Sequence, residues 1–242
     1  MLGITINGLA SWAMKLVIAA PIILVIGVSL FRFEMTSGFR WPLLLVAIGT
    51  LVALIAGLLA AIALIGSLFG DSDDVQRSLI ALVIALLVVY VPLSAARQGS
   101  KVPAIHDIST DLENVPVFQT VPSLRKESDN SLALDPEVQA KQQAHYADLK
   151  PLILDETPDE SFDKVLDVMD EKDWQIAASD RSTGLIEATV ETAFFKFKDD
   201  VIVRLTPVDG GTKIDMRSAS RVGQSDLGAN AARIEAFFDA LD

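Results

Sequence analysis

Three long apolar runs occupy the first 97 residues of the chain, and a polar remainder follows them. The runs extend from Leu16 to Phe31, from Trp41 to Gly70 and from Ser78 to Ala96, and none of them contains Asp, Glu, Lys, Arg or His. A helix that crosses a bilayer needs roughly 20 apolar residues. We therefore predict a three-helix transmembrane anchor at residues 1–97, in which the uncharged residues from Leu9 to Met14 complete the first span.

The polar remainder begins with a proline-rich segment. Five prolines among many polar residues predict an extended linker over residues 98–152 that wraps the domain following it. Asp135 followed by Pro136 indicates one short helix inside this linker. Thr157-Pro158-Asp159-Glu160 then forms a capping box, and apolar residues follow it at the spacing of one helix face. These signals predict a helix from about Pro158 to Asp170.

Alternating apolar and polar positions predict four strands after this helix. The strands are expected at 174–178, 185–192, around 201–205 and around 214–216, with a Gly-rich turn at 208–211 in a hairpin that begins at Phe194. Helical spacing returns near Ser225 or Asp226 and continues to Leu241. Short connections favour an antiparallel meander with both helices on one face. We therefore predict an α+β domain of one helix, a four-stranded antiparallel sheet and a closing helix over residues 153–242, with the second sheet face exposed to solvent.

Charge separates the two parts of the chain. Residues 98–242 contain 15 Lys and Arg against 28 Asp and Glu, a net charge of −13, whereas residues 1–97 contain five basic and four acidic residues. An acidic domain is repelled by nucleic acid and by anionic lipid headgroups. The chain has no cysteine, which excludes disulfides, thiolate catalysis and Cys-ligated zinc.

Candidate catalytic chemistry is sparse in this sequence. His106, Asp107 and Asp111 are metal-ligand types, but the other histidine lies 39 residues away, so a local capped turn is favoured. Asp199 and Asp200 resemble a carboxylate pair, although solvated charges at the start of a strand are the favoured interpretation. No Gly-x-Ser-x-Gly motif is present. We expect no metal, no cofactor and no catalytic residue.

The stretch from Arg217 to Arg233 is the candidate binding region. A strand that carries two arginines leads through Gly223 into a helix N-terminus, a geometry that can hold a carboxylate or phosphate. The favoured alternative is structural, because a Ser or Asp at the helix start caps it and because arginines form ion pairs within the domain. The candidate binding residues are Arg217, Arg221, Ser225, Asp226 and Asn230.

Small residues recur at every fourth position in the second span. Gly49, Ala53, Gly57 and Ala61 therefore lie along one helix face, where another helix can approach closely. Packing within the three-helix bundle is the favoured interpretation, and association with a partner helix is the alternative. No Asp, Glu, Lys, Arg or His lies in the second or third run, which argues against a transporter or channel.

Three stretches resemble motifs of the bacterial and plastid family catalogued as domain of unknown function 1499. They are PAIHDISTD at Pro103–Asp111, FKDDV at Phe197–Val201 and RSASRVGQSDLGANAARI at Arg217–Ile234. The resemblance covers roughly residues 100–241 and implies a membrane-anchored bacterial member whose activity is unknown. The predicted element order is also similar to the helix-grip domains of a lipoprotein in the outer-membrane β-barrel assembly machinery, a likeness of fold alone.

Together these patterns predict a multi-pass protein of the bacterial inner membrane that presents an acidic interaction module to an envelope protein or a lipid-like ligand. The alternative is an enzyme of unrecognised type that uses the region from Arg217 to Asn230. Four basic residues on the domain's side of the anchor against two on the other favour a cytoplasmic domain. The resemblance implies an external domain, and we expect the periplasmic side.

Overall fold

The computed structural model divides the chain into two compact units, residues 1–97 and residues 98–242. It describes residues 5–33, 35, 39–69, 74–192 and 195–242. Phe194, where the predicted hairpin begins, and residues 34, 36–38 and 70–73 lie outside the described residues.

The first unit consists of three helices, which confirms the three predicted spans. They are α1 (Ile6–Arg32), α2 (Arg40–Phe69) and α3 (Val75–Gly99). Each is long and apolar enough to cross a membrane, with a mean hydropathy between 2.4 and 2.8 over its most apolar window. The Thr5 hydroxyl oxygen begins α1 by accepting the Gly8 N–H at 3.1 Å.

Small side chains form the buried seam of this unit. Alanines from all three helices are buried together with Val17, at Ala13 in α1, Ala56 and Ala60 in α2, and Ala81 and Ala85 in α3. A Cβ added to Gly49 would lie 3.0 Å from the Ala20 carbonyl oxygen of α1.

The predicted every-fourth stripe follows this seam over only part of its length. Gly49 and Ala53 are buried, whereas Gly57 and Ala61 are partly exposed. An α-helix has 3.6 residues per turn, so the buried face drifts away from a strict four-residue repeat. Association of the stripe with a partner helix stays a prediction.

The second unit is α+β, which confirms the predicted class, and its described residues form six strands. In chain order it contains β1 (Asp107–Ser109), a 3-10 turn (Val121–Leu124), α4 (Pro136–His145), β2 (Leu152–Leu154), α5 (Pro158–Glu171), β3 (Gln175–Asp180), β4 (Leu185–Glu191), β5 (Lys198–Val208), β6 (Gly211–Ser220) and α6 (Ala229–Leu241). The sheet is antiparallel in the order β1-β6-β5-β4-β3, and β2 pairs with β6.

The four predicted strands correspond to β3 to β6, and the segment predicted as a linker adds β1 and β2. Ser109 of β1 pairs with Arg217, and Leu152 of β2 pairs with Ile214, so both short strands lie along β6. A three-residue strand is too short for alternation to be recognised in sequence. These two strands can be recognised only from their pairing with β6 in the structure.

Two helices cover one face of the sheet. The predicted capping box begins α5, because Thr157 and Glu160 each bond the other's backbone N–H. Phe162 and Met169 of α5 and Phe237 of α6 are buried with the apolar residues of the central strands. This layer is the main apolar core of the domain.

The closing helix begins later than the predicted start at Ser225 or Asp226. Gly228 is its N-cap with φ 87°, a left-handed conformation, and α6 starts at Ala229. Glycine reaches that conformation without the steric cost of a side chain. The Asp226 carboxylate still accepts an N–H from Gly228 at 2.8 Å, so it lies at the helix start without being helical.

The other face of the sheet is covered, which corrects the prediction of a solvent-exposed surface. Residues 110–132, here called the strap, cross this face. Phe118 and Val121 of the strap are buried against Ile202 of β5 and Ala219 of β6. Apart from the 3-10 turn the strap has no helix or strand, so its sequence carries no periodic signal. The domain therefore has three layers: helices, sheet and strap.

Candidate functional site

Buried charges lie between the strap and the sheet, and Asp200 of β5 is the most heavily paired of them. Its carboxylate accepts from the Nε of Arg125 at 2.7 Å and from the Nε of Arg221 at 2.9 Å. The Thr189 hydroxyl donates to it at 2.8 Å. Asp200 is fully buried, so each of these charge-assisted bonds replaces lost hydration. The group joins the strap, β4, β5 and the end of β6.

Arg217 of β6 forms a second junction and is 1% exposed. Its guanidinium donates through Nε and Nη2 to the two carboxylate oxygens of Asp107 at 2.9 and 2.6 Å. It also donates to the carbonyl oxygens of Pro116 at 3.1 Å and Leu132 at 2.8 Å. The Phe118 ring lies 5.2 Å from the guanidinium carbon. Arg217 therefore connects β1 with both ends of the strap.

Glu187 of β4 anchors the middle of the strap. Its carboxylate accepts backbone N–H bonds from Gln119 at 2.7 Å, Thr120 at 3.1 Å and Val121 at 2.8 Å. These donors are at the start of the 3-10 turn, where backbone N–H groups lack a partner within the turn. The Glu187 carboxylate therefore occupies the N-terminus of the 3-10 turn, where an external anion could otherwise bind.

Asn230 organises a polar cluster on the helix face of the sheet. It accepts the Ser218 hydroxyl at 2.7 Å and donates to the His106 carbonyl oxygen at 3.1 Å. Its backbone N–H donates to Asp226 at 3.0 Å. Burial raises the pKa of the Asp226 carboxyl above its ordinary value, and the negative charge of Asp199 adds to the effect. This cluster holds the start of α6 against β1 and β6.

The candidate binding residues are divided between the two faces of β6. Arg217 and Arg221 pair with the carboxylates of Asp107 and Asp200 on the strap side, whereas Asn230 and Asp226 lie on the helix side. Arg217 and Arg221 are an even number of residues apart and so point to the same face. Asp226 and Asn230 belong to the loop and the helix that pack on the other face. Ser225 accepts the Leu227 N–H at 3.2 Å in a local turn. Contact between any of these residues and a ligand stays a prediction.

Metal binding gains no support from this geometry. Asp107 is engaged by Arg217, and Asp111 lies 3.3 Å from the Lys213 ammonium. In the described ranges no group of three His, Cys, Asp or Glu side chains could hold a metal ion. Asp199 and Asp200, predicted as solvated charges, are instead buried. Each carboxylate forms an ion pair with an arginine, which offsets its loss of hydration.

A groove of about 420 Å³ opens between the start of β1 and the start of α4, and we call it the α4 groove. Its apolar lining is Ala133, Leu134, Pro136 and Val138. Its polar lining is His106, Asp107, Asn130, Ser131 and Asp135. Ligand sites commonly combine apolar walls with a few placed polar groups, and volumes of about 300–1,000 Å³ are typical.

Three of the candidate binding residues form hydrogen bonds with residues that line this groove. Arg217 fixes the Asp107 carboxylate, and Asn230 holds the His106 carbonyl oxygen. The Arg221 carbonyl oxygen accepts the Asn130 N–H at 2.7 Å. No local pattern in the sequence predicts the groove, because its walls come from separate segments of the chain. The acidic residues around Asp135 are the one feature of the sequence that could have drawn attention to this region.

A family model described as "Protein of unknown function (DUF1499)" matches residues 107–241. The match begins in β1, ends with α6 and covers more than half of the chain. The search of curated proteins found no match.

Proposed function

Since the chain belongs to this family of proteins of unknown function, we propose that its polar domain is an interaction module attached to a membrane by the three-helix anchor. The α4 groove is the docking site of this module. The observation that supports docking most directly is that the groove is lined by both apolar and polar residues. Groups of both kinds in one concavity allow apolar burial and oriented hydrogen bonds together.

Rigid support of the groove favours docking. Its walls are fixed by the two Arg217–Asp107 bonds and by the Asn230 bond to His106. A preformed wall lowers the entropic cost of binding, because the side chains are already ordered. The alternative enzyme draws less support, since Arg217 and Asn230 are buried and bonded to internal partners.

Glutamate at Leu134 should strongly weaken docking. Leu134 is 49% exposed in the groove, so the substitution places a charge on its apolar floor without opening the core. Leu124, 50% exposed on the 3-10 turn and absent from the groove lining, is the matched control. We expect Leu134→Glu to lose about tenfold or more of ligand retention and Leu124→Glu to retain it.

Quantitative affinity purification of the full chain in mild detergent measures this effect. Proteins and lipids that co-purify with the wild type are compared between the two variants. A set of co-purifying molecules that both variants retain equally would contradict docking in the α4 groove.

We place the anchor in the bacterial inner membrane and the domain on the periplasmic side. The family resemblance supports this orientation, and the count of basic loop residues opposes it. A reporter enzyme active only outside the cytoplasm, fused after Asp242, should therefore be active. Silence of that enzyme, together with signal from a fluorescent cytoplasmic reporter at the same position, would reverse the assignment.

A further inference from the structure

The wall of the α4 groove carries one sign of charge. Between Lys126 and Lys141 the chain contains Glu127, Asp129, Asp135 and Glu137 and no Lys or Arg. The side chains of Glu127, Asp135 and Glu137 are exposed, and that of Asp129 is partly exposed. Asp135 lines the groove, and Glu137 lies between the lining residues Pro136 and Val138. This local excess adds to the net charge of −13 on residues 98–242.

The other charged groups of the groove do not offset this excess. Asp107 forms two bonds with Arg217, so that pair is close to neutral as a whole. Asp135 accepts the Glu137 N–H at 2.8 Å as the N-cap of α4, a bond that requires no proton from the carboxylate. A cation placed over the start of α4 would therefore approach the exposed Asp135 and Glu137 carboxylates.

The floor of the groove selects for an apolar group beside that cation. Leu134 is half exposed, and Val138 packs against the domain core on its inner side. An apolar side chain laid between them would remove the exposed surface of Leu134 from water. A helix with its side chains is about 10 Å wide, whereas a groove of about 420 Å³ accommodates only a few side chains. These dimensions favour an extended chain.

We infer that the α4 groove binds an extended segment of a partner protein in which an apolar residue neighbours Lys or Arg. This inference rests on the proposed function and adds the chemistry of the ligand to it. Anionic lipid headgroups and nucleic acid carry the charge that this wall repels. The basic residue lies over Asp135 and Glu137, and the apolar residue lies on Leu134.

A random peptide library displayed on phage tests the inference. The full chain is held in nanodiscs of phosphatidylcholine, and empty nanodiscs provide the background. We expect the enriched peptides to share Lys or Arg next to an apolar residue. A synthetic copy of an enriched peptide should bind the Leu134→Glu variant about tenfold more weakly than the wild type.

A paired neutralisation tests the charge separately. Asp135→Asn keeps an N-cap residue, and Glu137→Gln keeps the shape of its side chain, so the double variant removes charge while α4 retains its start. We expect about fivefold to tenfold weaker peptide binding at about 0.1 M salt and little difference at about 1 M salt. Asp209→Asn, an exposed substitution in the β5–β6 turn, should leave binding unchanged.

The outcomes separate the two proposals. If the enriched peptides lack basic residues but still require Leu134 for binding, the inference of a basic ligand is overturned. The proposal that the α4 groove is the docking site is then retained. Peptides that bind the Leu134→Glu variant as well as the wild type would overturn both proposals, as would no enrichment over empty nanodiscs. Tighter binding of short-chain phosphatidylglycerol than of the peptide would indicate a lipid-like ligand and would overturn the inference.

Discussion

We expect the Asp200→Asn substitution to lower the free energy of unfolding of the polar domain by about 3–5 kcal/mol. Asparagine keeps the volume of the side chain, so no cavity forms. The change leaves the guanidinium groups of Arg125 and Arg221 buried beside a neutral amide. Removal of one partner from a buried ion-pair group is costly because the remaining charge has lost both hydration and its counterion.

Urea unfolding followed by Trp174 fluorescence measures this loss. Trp174 stacks on Phe237 at 5.0 Å between ring centres and reports on the core. Replacing Trp12 and Trp41 by Phe leaves Trp174 as the only tryptophan of the three in the chain. Asp209→Asn is the control, and it should stay within about 0.5 kcal/mol of the parent. A loss below about 1 kcal/mol for Asp200→Asn would show that the strap does not depend on this group.

Gly211→Ala should cost about 3 kcal/mol or more. Gly211 has φ 152°, and a Cβ added there would lie 1.9 Å from the Leu154 carbonyl oxygen. That oxygen belongs to the backbone of β2, whose residue Leu154 pairs with Thr212 of β6. The strand cannot move aside without breaking this pairing, so the substitution should separate β2 from the sheet.

Gly210→Ala is the matched control in the same turn. Gly210 has φ 85°, and no atom lies within 4 Å of an added Cβ. Its cost is only that of a left-handed alanine, about 1–2 kcal/mol. The same fluorescence measurement compares the two variants. Equal losses at both positions would mean that the close approach of β2 is unimportant for stability.

The Asp200 effect concerns a part of the domain that the family motifs bring together. The first motif contributes Asp107, the second contributes Asp199 and Asp200, and the third contributes the arginines that bind them. These motifs are far apart along the chain, yet β1, β5 and β6 place them in adjoining polar clusters. Their shared role in this domain is to hold the strap and α6 against the sheet.

The sequence by itself determined the elements whose signals are local. Continuous apolar runs predicted the three spans, since spanning a membrane requires only length and hydropathy. The Thr157–Glu160 capping box predicted α5, and Asp135 with Pro136 predicted α4, because a helix start depends on residues within one turn. Period-two alternation predicted β3 to β6 for the same reason.

Only the tertiary structure decided which surfaces are covered and which polar groups meet. Arg217 and Asp107 are 110 residues apart in the sequence. The residues flanking each of them give no indication that the two form an ion pair. Alternation placed Arg217 on a polar face, and polar faces are normally exposed. A buried arginine is stable there because a carboxylate and two carbonyl oxygens arrive from β1 and the strap. The α4 groove likewise exists only where these distant segments meet, since its walls are held by bonds that no local pattern encodes.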